Sequence, residues 1–73
     1  MIKMTLGERI AWHRTLMGYS QAELARRAGI SRQCLYEYET NRTDPKLFNA
    51  ACIADALGIS LDYLAKGTVK NVR

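Results

Sequence analysis

Apolar positions along the chain recur at helical spacing, and nowhere do they alternate with polar ones as a half-buried strand requires. The pattern predicts five short helices. Thr5-Leu6-Gly7-Glu8 is a capping box that opens the first, with Leu6, Ile10, Leu16 and Met17 facing inward and Gly18 ending it. Ser20 and Glu23 form a second capping box. Leu24, Ala25 and Ala28 then recur on one face, Gly29 supplies a left-handed stop, and Tyr19 staples the entry. Ser31 caps a third helix, which buries Leu35 and Tyr38 and turns Arg32, Gln33, Tyr36 and Glu37 outward. Asp44 as cap and Pro45 at the first helical position start a fourth, from Pro45 to Leu57. Its inner stripe is read as Leu47, Ala50, Ala51, Ala54 and Leu57, flanked by Phe48 and Ile53, and Gly58 stops it. Ser60 caps the fifth, Asp62 suits its dipole, Leu61 and Leu64 are buried with Tyr63 partly covered, and Gly67 ends it. Residues 1–4 read as a short leader, 5–67 as one all-α domain and 68–73 as a polar, basic, mobile tail.

The stretch from Ser20 to Glu39 organises the rest. Two short helices are joined by a tight turn at Gly29, Ile30 can plug the corner, and small Ala25 lets the second helix approach the first. This is the pattern of a helix-turn-helix, in which helix two supports helix three as it enters the major groove of DNA. Arg32 and Gln33 lie at the end of helix three that points into such a groove. Arginine can donate twice to guanine, and glutamine can pair both ways with adenine. One turn on, Tyr36 suits a thymine methyl or a phosphate; Glu37 suits cytosine N4, or orients Arg32 or Gln33 from behind. Gln21, in the first turn of helix two, is placed to hold a phosphate oxygen together with the free N–H groups there. Asn41, Arg42, Thr43 and Lys46 form a second polar and basic edge, with Arg42 its main phosphate partner.

Ser20-Gln21-Ala22-Glu23-Leu24-Ala25, Ala28-Gly29-Ile30-Ser31 and Leu35 through Glu39 closely resemble the lambdoid phage repressor and Cro family of regulators. Leu6 to Ile10 and Ala56 to Leu64 are similar to that family's first and last helices, so the resemblance covers nearly the whole chain. It implies a compact five-helix lambda-repressor-like DNA-binding domain. It also implies a transcriptional regulator, of repressor type, that binds a two-fold symmetric operator in double-stranded DNA as a weak homodimer reinforced by DNA. It gives Gln21 a phosphate-holding role and extends a similar one to Ser20, Arg26 and Arg14. It pairs Arg14 with Glu39 beneath the DNA surface and places the dimer contact at Gly58, Ile59, Ser60 and Leu61, although Ile59 equally suits the core. An antitoxin or other protein-interaction module of the same fold, which also binds its own promoter, is the alternative.

Composition narrows the choice further. Seventy-three residues allow one domain with a small core. Eleven basic against seven acidic residues give a net charge of +4, which suits a polyanionic partner. Cys34 and Cys52 sit in helical patterns beside small or apolar residues and read as reduced, buried or half-buried thiols of a cytoplasmic protein. One histidine, His13, lacks a carboxylate–nucleophile arrangement, and there is neither a C-x-x-C pair nor a glycine-rich phosphate loop. The inventory therefore points away from an enzyme and toward no cofactor and no metal. No apolar run approaches the ~20 residues that span a bilayer. Trp12, on helix one, suits the surface, an interface or the core edge alike.

Overall fold

The computed structural model describes residues 4–67; residues 1–3 of the expected leader and the expected tail, 68–73, lie outside the described residues. Five helices follow in order: α1 (Leu6–Met17), α2 (Gln21–Ala28), α3 (Arg32–Glu39), α4 (Leu47–Leu57) and α5 (Leu61–Lys66). The described residues contain no strand. Ile10, Leu24, Leu35, Ile53 and Leu64, one from each helix, are fully buried and form the centre around which the helices close. Ala25, Ala28 and Ala54 fill the spaces between these larger side chains, so α2 lies close against both α3 and α4.

Serine and threonine caps set four of the five helix starts. The Thr5 hydroxyl accepts from Glu8 N, and Glu8 Oε1 accepts from Thr5 N in return, a complete box. Ser20, Ser31 and Ser60 accept from the third helical N–H of α2, α3 and α5. The expected box at Ser20 is only half formed, because the Glu23 carboxylate turns instead to Arg26 and Arg27 on its own helix. Tyr19, Ile30 and Ile59 each precede a cap and pack on the core, fixing the angle at which the chain enters the next helix.

Three sequence expectations are corrected. Leu16 and Met17 point outward, 64% and 46% exposed. Beside Leu6 and Ile10, the inward arc of α1 is instead completed by polar groups that find partners: Arg9 meets backbone carbonyls, His13 meets the Tyr63 hydroxyl at 2.9 Å, and Arg14 meets Glu39. Next, α4 starts at Leu47 with Lys46 as its cap residue and no side-chain cap. Pro45, half-buried, sits before the cap, so the helix opens two residues later than Asp44-Pro45 signals. Finally, the buried stripe of α4 is Ala50, Ile53, Ala54 and Leu57. Ile53 moves from the flank to the centre, Ala51 is half-buried, and Leu47 and Phe48, 74% and 76% exposed, lie on a first turn that projects beyond the core.

Arg9, buried at 8% exposure, was not legible as a structural residue. Its guanidinium donates to Leu64 O at 2.8 Å, Ala65 O at 3.0 Å and Met4 O at 2.6 Å. It thereby satisfies carbonyls in the last turn of α5, where a cation is also favoured by the helix dipole. Met4, expected in the leader, is held by this contact.

Candidate nucleic-acid interface

The turn that sets α3 against α2 is short because Gly29 adopts φ 75°, a conformation that a Cβ disfavours, and Ile30 N then closes onto Ala25 O at 3.0 Å. Leu35 and Tyr38 anchor one side of α3 in the core. Tyr38 reaches α4, where its hydroxyl accepts from Asn49 Nδ2 at 2.8 Å. A hydrogen bond to the Cys34 thiol, followed by burial, pushes the Tyr38 phenol above its usual range. Both cysteines are free and half-buried. With that face fixed, Arg32, Gln33 and Tyr36 stand exposed on the other, and Glu37 is half-buried beside them. Residues spaced i, i+1, i+4 and i+5 share one helix face, so all four look the same way. Gln33 Nε2 donates to Glu37 Oε2 at 3.2 Å.

Beneath this face a polar hub joins three helices. Arg14 of α1 donates through Nε to Glu39 Oε2 at 2.7 Å and through Nη2 to Oε1 at 3.2 Å. Its Nη1 donates to Tyr19 O at 2.9 Å. Gln21 of α2 donates through Nε2 to Glu39 Oε1 at 2.9 Å. The Glu39 side chain is 5% exposed and that of Arg14 19%, so the pair is largely removed from solvent. The start of α2 is thus pinned to the end of α3 by side chains that also lock α1.

The sequence-derived phosphate candidates fall on both flanks of α3. Ser20 is exposed and Gln21 half-buried at the start of α2, beside first-turn N–H groups that the helix leaves free. Arg26 is exposed but paired with Glu23 at 2.6 Å. That hydrogen bond, larger than the opposing desolvation and aided by Arg27, holds the Glu23 carboxyl below its usual value and raises Arg26. A surface pair of this kind is worth little, so Arg26 can exchange it for another anion at small cost. Arg27 also lies over the Tyr19 ring, 4.6 Å from its centroid. On the other flank Asn41, Arg42, Thr43 and Lys46 are exposed. Asn41 sits at φ 61° and turns Oδ1 back to accept from Gly7 N at 3.2 Å, so part of its polar capacity serves the α1–α3 junction. Arg32, Arg42 and Lys46 enter none of the ion pairs among the described residues. Arg14 lies apart from this exposed set: it is half-buried, and three of its five N–H groups donate to Glu39 and Tyr19 O.

At the proposed dimer positions, Gly58 and Ser60 are exposed, while Ile59 and Leu61 are half-buried and pack on the core. Leu61 also lines a groove of ≈ 630 Å³ with Leu6, Pro45, Leu47, Ala50 and Leu64, mostly apolar walls with a single carboxylate, Asp62. Among the described residues no group of histidine, cysteine or acidic side chains could hold a metal ion, and no helix is long and apolar enough to cross a membrane.

An exposed helix face held by its partner helix, with cations on both flanks, defines a nucleic-acid-reading module of the helix-turn-helix class. The comparisons agree. The family model described as Helix-turn-helix matches residues 10–64, and the chain belongs to that family. It is 42% identical over 62 residues to a prophage-derived HTH-type transcriptional regulator, YonR, of Bacillus subtilis (strain 168), covering 85% of this chain and 57% of that one. It is 36% identical over 62 residues to Repressor protein C2 of Salmonella phage P22, covering 85% of this chain and 29% of that one. The chain therefore spans 57% of the length of the first of these relatives and 29% of the second. Among solved structures, the P22 c2 repressor in complex with a synthetic operator superposes with a TM-score of 0.86 at 33% identity, over 90% of this chain and all of that one. SinR, described as the master regulator for biofilm formation and solved in complex with DNA, gives 0.79 at 31% identity over 82% and 97%. A complex of SinR with the SinI protein gives 0.81 at 30% identity over 85% and 61%. The five-helix repressor-like fold expected from the sequence is the fold observed.

Proposed function

We propose that this chain is a sequence-specific transcriptional regulator of repressor type, which reads double-stranded DNA by inserting α3 into the major groove. The observation that carries this reading is the exposed face of Arg32, Gln33 and Tyr36 on an anchored helix, in a chain that superposes closely on a repressor solved with its operator. Arg32 and Gln33 read base edges, with Tyr36 and Glu37 one turn behind. Ser20, Gln21, Arg26, Asn41, Arg42, Thr43 and Lys46 hold the backbone on either side. It acts where the DNA is, in the cytoplasm, and needs no cofactor.

Two copies bind one site as a weak homodimer. Half-sites of such operators lie about 34 Å apart, one helical turn. The domain's two shorter dimensions, 24 and 23 Å, let copies sit side by side on one face of the duplex. Their contact is the α4–α5 junction at Gly58 to Leu61, continued by Leu47 along the shared groove. DNA completes the assembly, because only Gly58 and Ser60 of those four residues are well exposed.

Selection from a random duplex pool at near-physiological salt tests the reading. It is expected to return a symmetric motif with half-sites one turn apart; recovery of no motif overturns it. Arg32→Ala is expected to cost about 1–3 kcal/mol at one base pair while leaving random-sequence binding nearly unchanged. Arg42→Ala is expected to weaken all sequences alike and to flatten the dependence of log K on log salt by about one unit. Equal losses for both variants on specific and random DNA contradict this division of roles.

A second reading, a module that also binds a protein partner as an antitoxin does, draws support from the exposed Trp12, Leu16, Leu47 and Phe48. A pull-down that returns a small partner encoded beside this chain's gene separates it from a DNA-only regulator.

A further inference from the structure

The Gln33–Glu37 hydrogen bond fixes which way the glutamine amide faces. A carboxylate has no donor, so only the amide nitrogen can be turned toward Glu37. One N–H of Gln33 is thereby committed. What remains on the outer edge of the amide is the second N–H beside Oε1, a donor next to an acceptor.

We propose that Glu37 is a positioning residue that restricts Gln33 to adenine. The inference rests on the major-groove reading above. Adenine presents an acceptor, N7, beside a donor, the N6 amino group, which matches the remaining edge of Gln33 in both atoms. Guanine presents two acceptors, N7 and O6. A free glutamine can turn its whole NH2 group toward them; a glutamine tied to Glu37 offers one N–H and sets Oε1 against the other acceptor. The unpaired oxygen of Glu37 adds to the selection: N7 is common to both purines, but a carboxylate near the groove floor repels guanine O6 and can accept from the adenine N6 amino group. The contact spans one helical turn of α3, so both side chains move as one unit with the anchored helix. On docking, water leaves the pair and the hydrogen bond strengthens, which makes the restriction greatest where discrimination is needed.

The test uses the random-duplex selection with four proteins: wild type, Gln33→Ala, Glu37→Gln and Glu37→Ala. Circular dichroism and a thermal melt verify that each variant is folded. Gln33→Ala identifies the base pair that Gln33 reads, as the position that loses its preference. At that position wild type is expected to favour adenine over guanine by about tenfold or more, in the range of one bidentate contact. Glu37→Ala is expected to reduce that preference to about threefold or less without altering the position read by Arg32; Glu37→Gln, whose amide oxygen can still accept from Gln33, is expected to keep more of it, and both are expected to raise binding to random DNA. A merely structural role for Glu37 predicts a lower melting temperature with the base preference intact. The inference is overturned by guanine at the Gln33 position in wild type, by an unchanged preference in Glu37→Ala, or by a Gln33→Ala variant that loses no position. A wild-type pool without any motif overturns the major-groove reading itself, and this inference with it.

Discussion

Glu39→Ala is expected to destabilise the domain by about 3–5 kcal/mol, because it leaves the largely buried Arg14 guanidinium without its counter-charge. The loss extends beyond one ion pair. Glu39 accepts three hydrogen bonds, two from Arg14 and one from Gln21, and all three donors lose their partner together. A core of this size supplies only about 3–5 kcal/mol in total, so the variant is expected to be largely unfolded near 37 °C. Each kcal/mol shifts the melting temperature of such a domain by roughly 4–8 °C, and a calorimetric or circular-dichroism melt reads the change directly. The double variant Arg14→Met/Glu39→Leu separates the penalty of a stranded charge from the worth of the pair. Replacing both partners by apolar groups is expected to recover most of the loss, since a buried pair contributes little relative to a packed apolar one. A loss below about 1 kcal/mol in Glu39→Ala marks the pair as an ordinary surface contact instead.

The second large effect is a reversal of sign. Inside an exposed helix, Gly→Ala stabilises by about 1 kcal/mol through lower chain entropy. Gly7 lies in the first turn of α1, yet Gly7→Ala is expected to destabilise by about 2–3 kcal/mol. A Cβ there meets Tyr38 O, lies 2.7 Å from Asn41 Oδ1 and 2.8 Å from Glu39 O. Two of these three are backbone atoms at the end of α3 and cannot swing aside, so α1 must move off α3. That movement also lengthens the Asn41 Oδ1 contact with Gly7 N. Equilibrium urea unfolding measures the difference; an unchanged or raised midpoint shows that α1 shifts at no cost. Because the displaced atoms flank the polar hub, operator affinity is expected to fall more than stability alone accounts for.

These two positions show where the sequence was transparent and where it was not. Helix identity was legible because local signals carried it: serine and threonine caps, glycine stops and the i, i+3, i+4 recurrence in α2 and α3 involve neighbours within one turn. The exposed face of α3 followed from the same periodicity, once Leu35 and Tyr38 were assigned to the core. Facing was misjudged in α1 and α4, where hydrophobicity and burial part company. Arg9, His13 and Arg14 occupy the inward arc of α1 because each finds a distant partner, 55, 50 and 25 residues away respectively. No local pattern reports such a partner. In α4 the helix opens after a half-buried Pro45 rather than on it, and Leu47 and Phe48 lie exposed in its first turn. Gly7 reads in sequence as a neutral capping-box position, and only the crossing of α1 over α3 reveals why a side chain is excluded. The Gln33–Glu37 contact lay within reach of sequence reasoning, since i, i+4 pairs meet on a helix surface, but its effect on the amide's orientation needed the atoms.

The Arg9 guanidinium gathers carbonyls from both extremities of the described chain, Met4 on one side and Leu64 and Ala65 on the other. The stretch from Met4 to Ala65 is in consequence almost a ring, closed by one side chain rather than by a covalent bond. Most of the loop-closure entropy of joining those extremities is already lost in the native state, so a covalent link between them of only a few residues adds little strain to the fold. Such a cyclised chain keeps its native topology and has fewer unfolded conformations, which shifts the balance toward the folded form without altering the exposed face of α3.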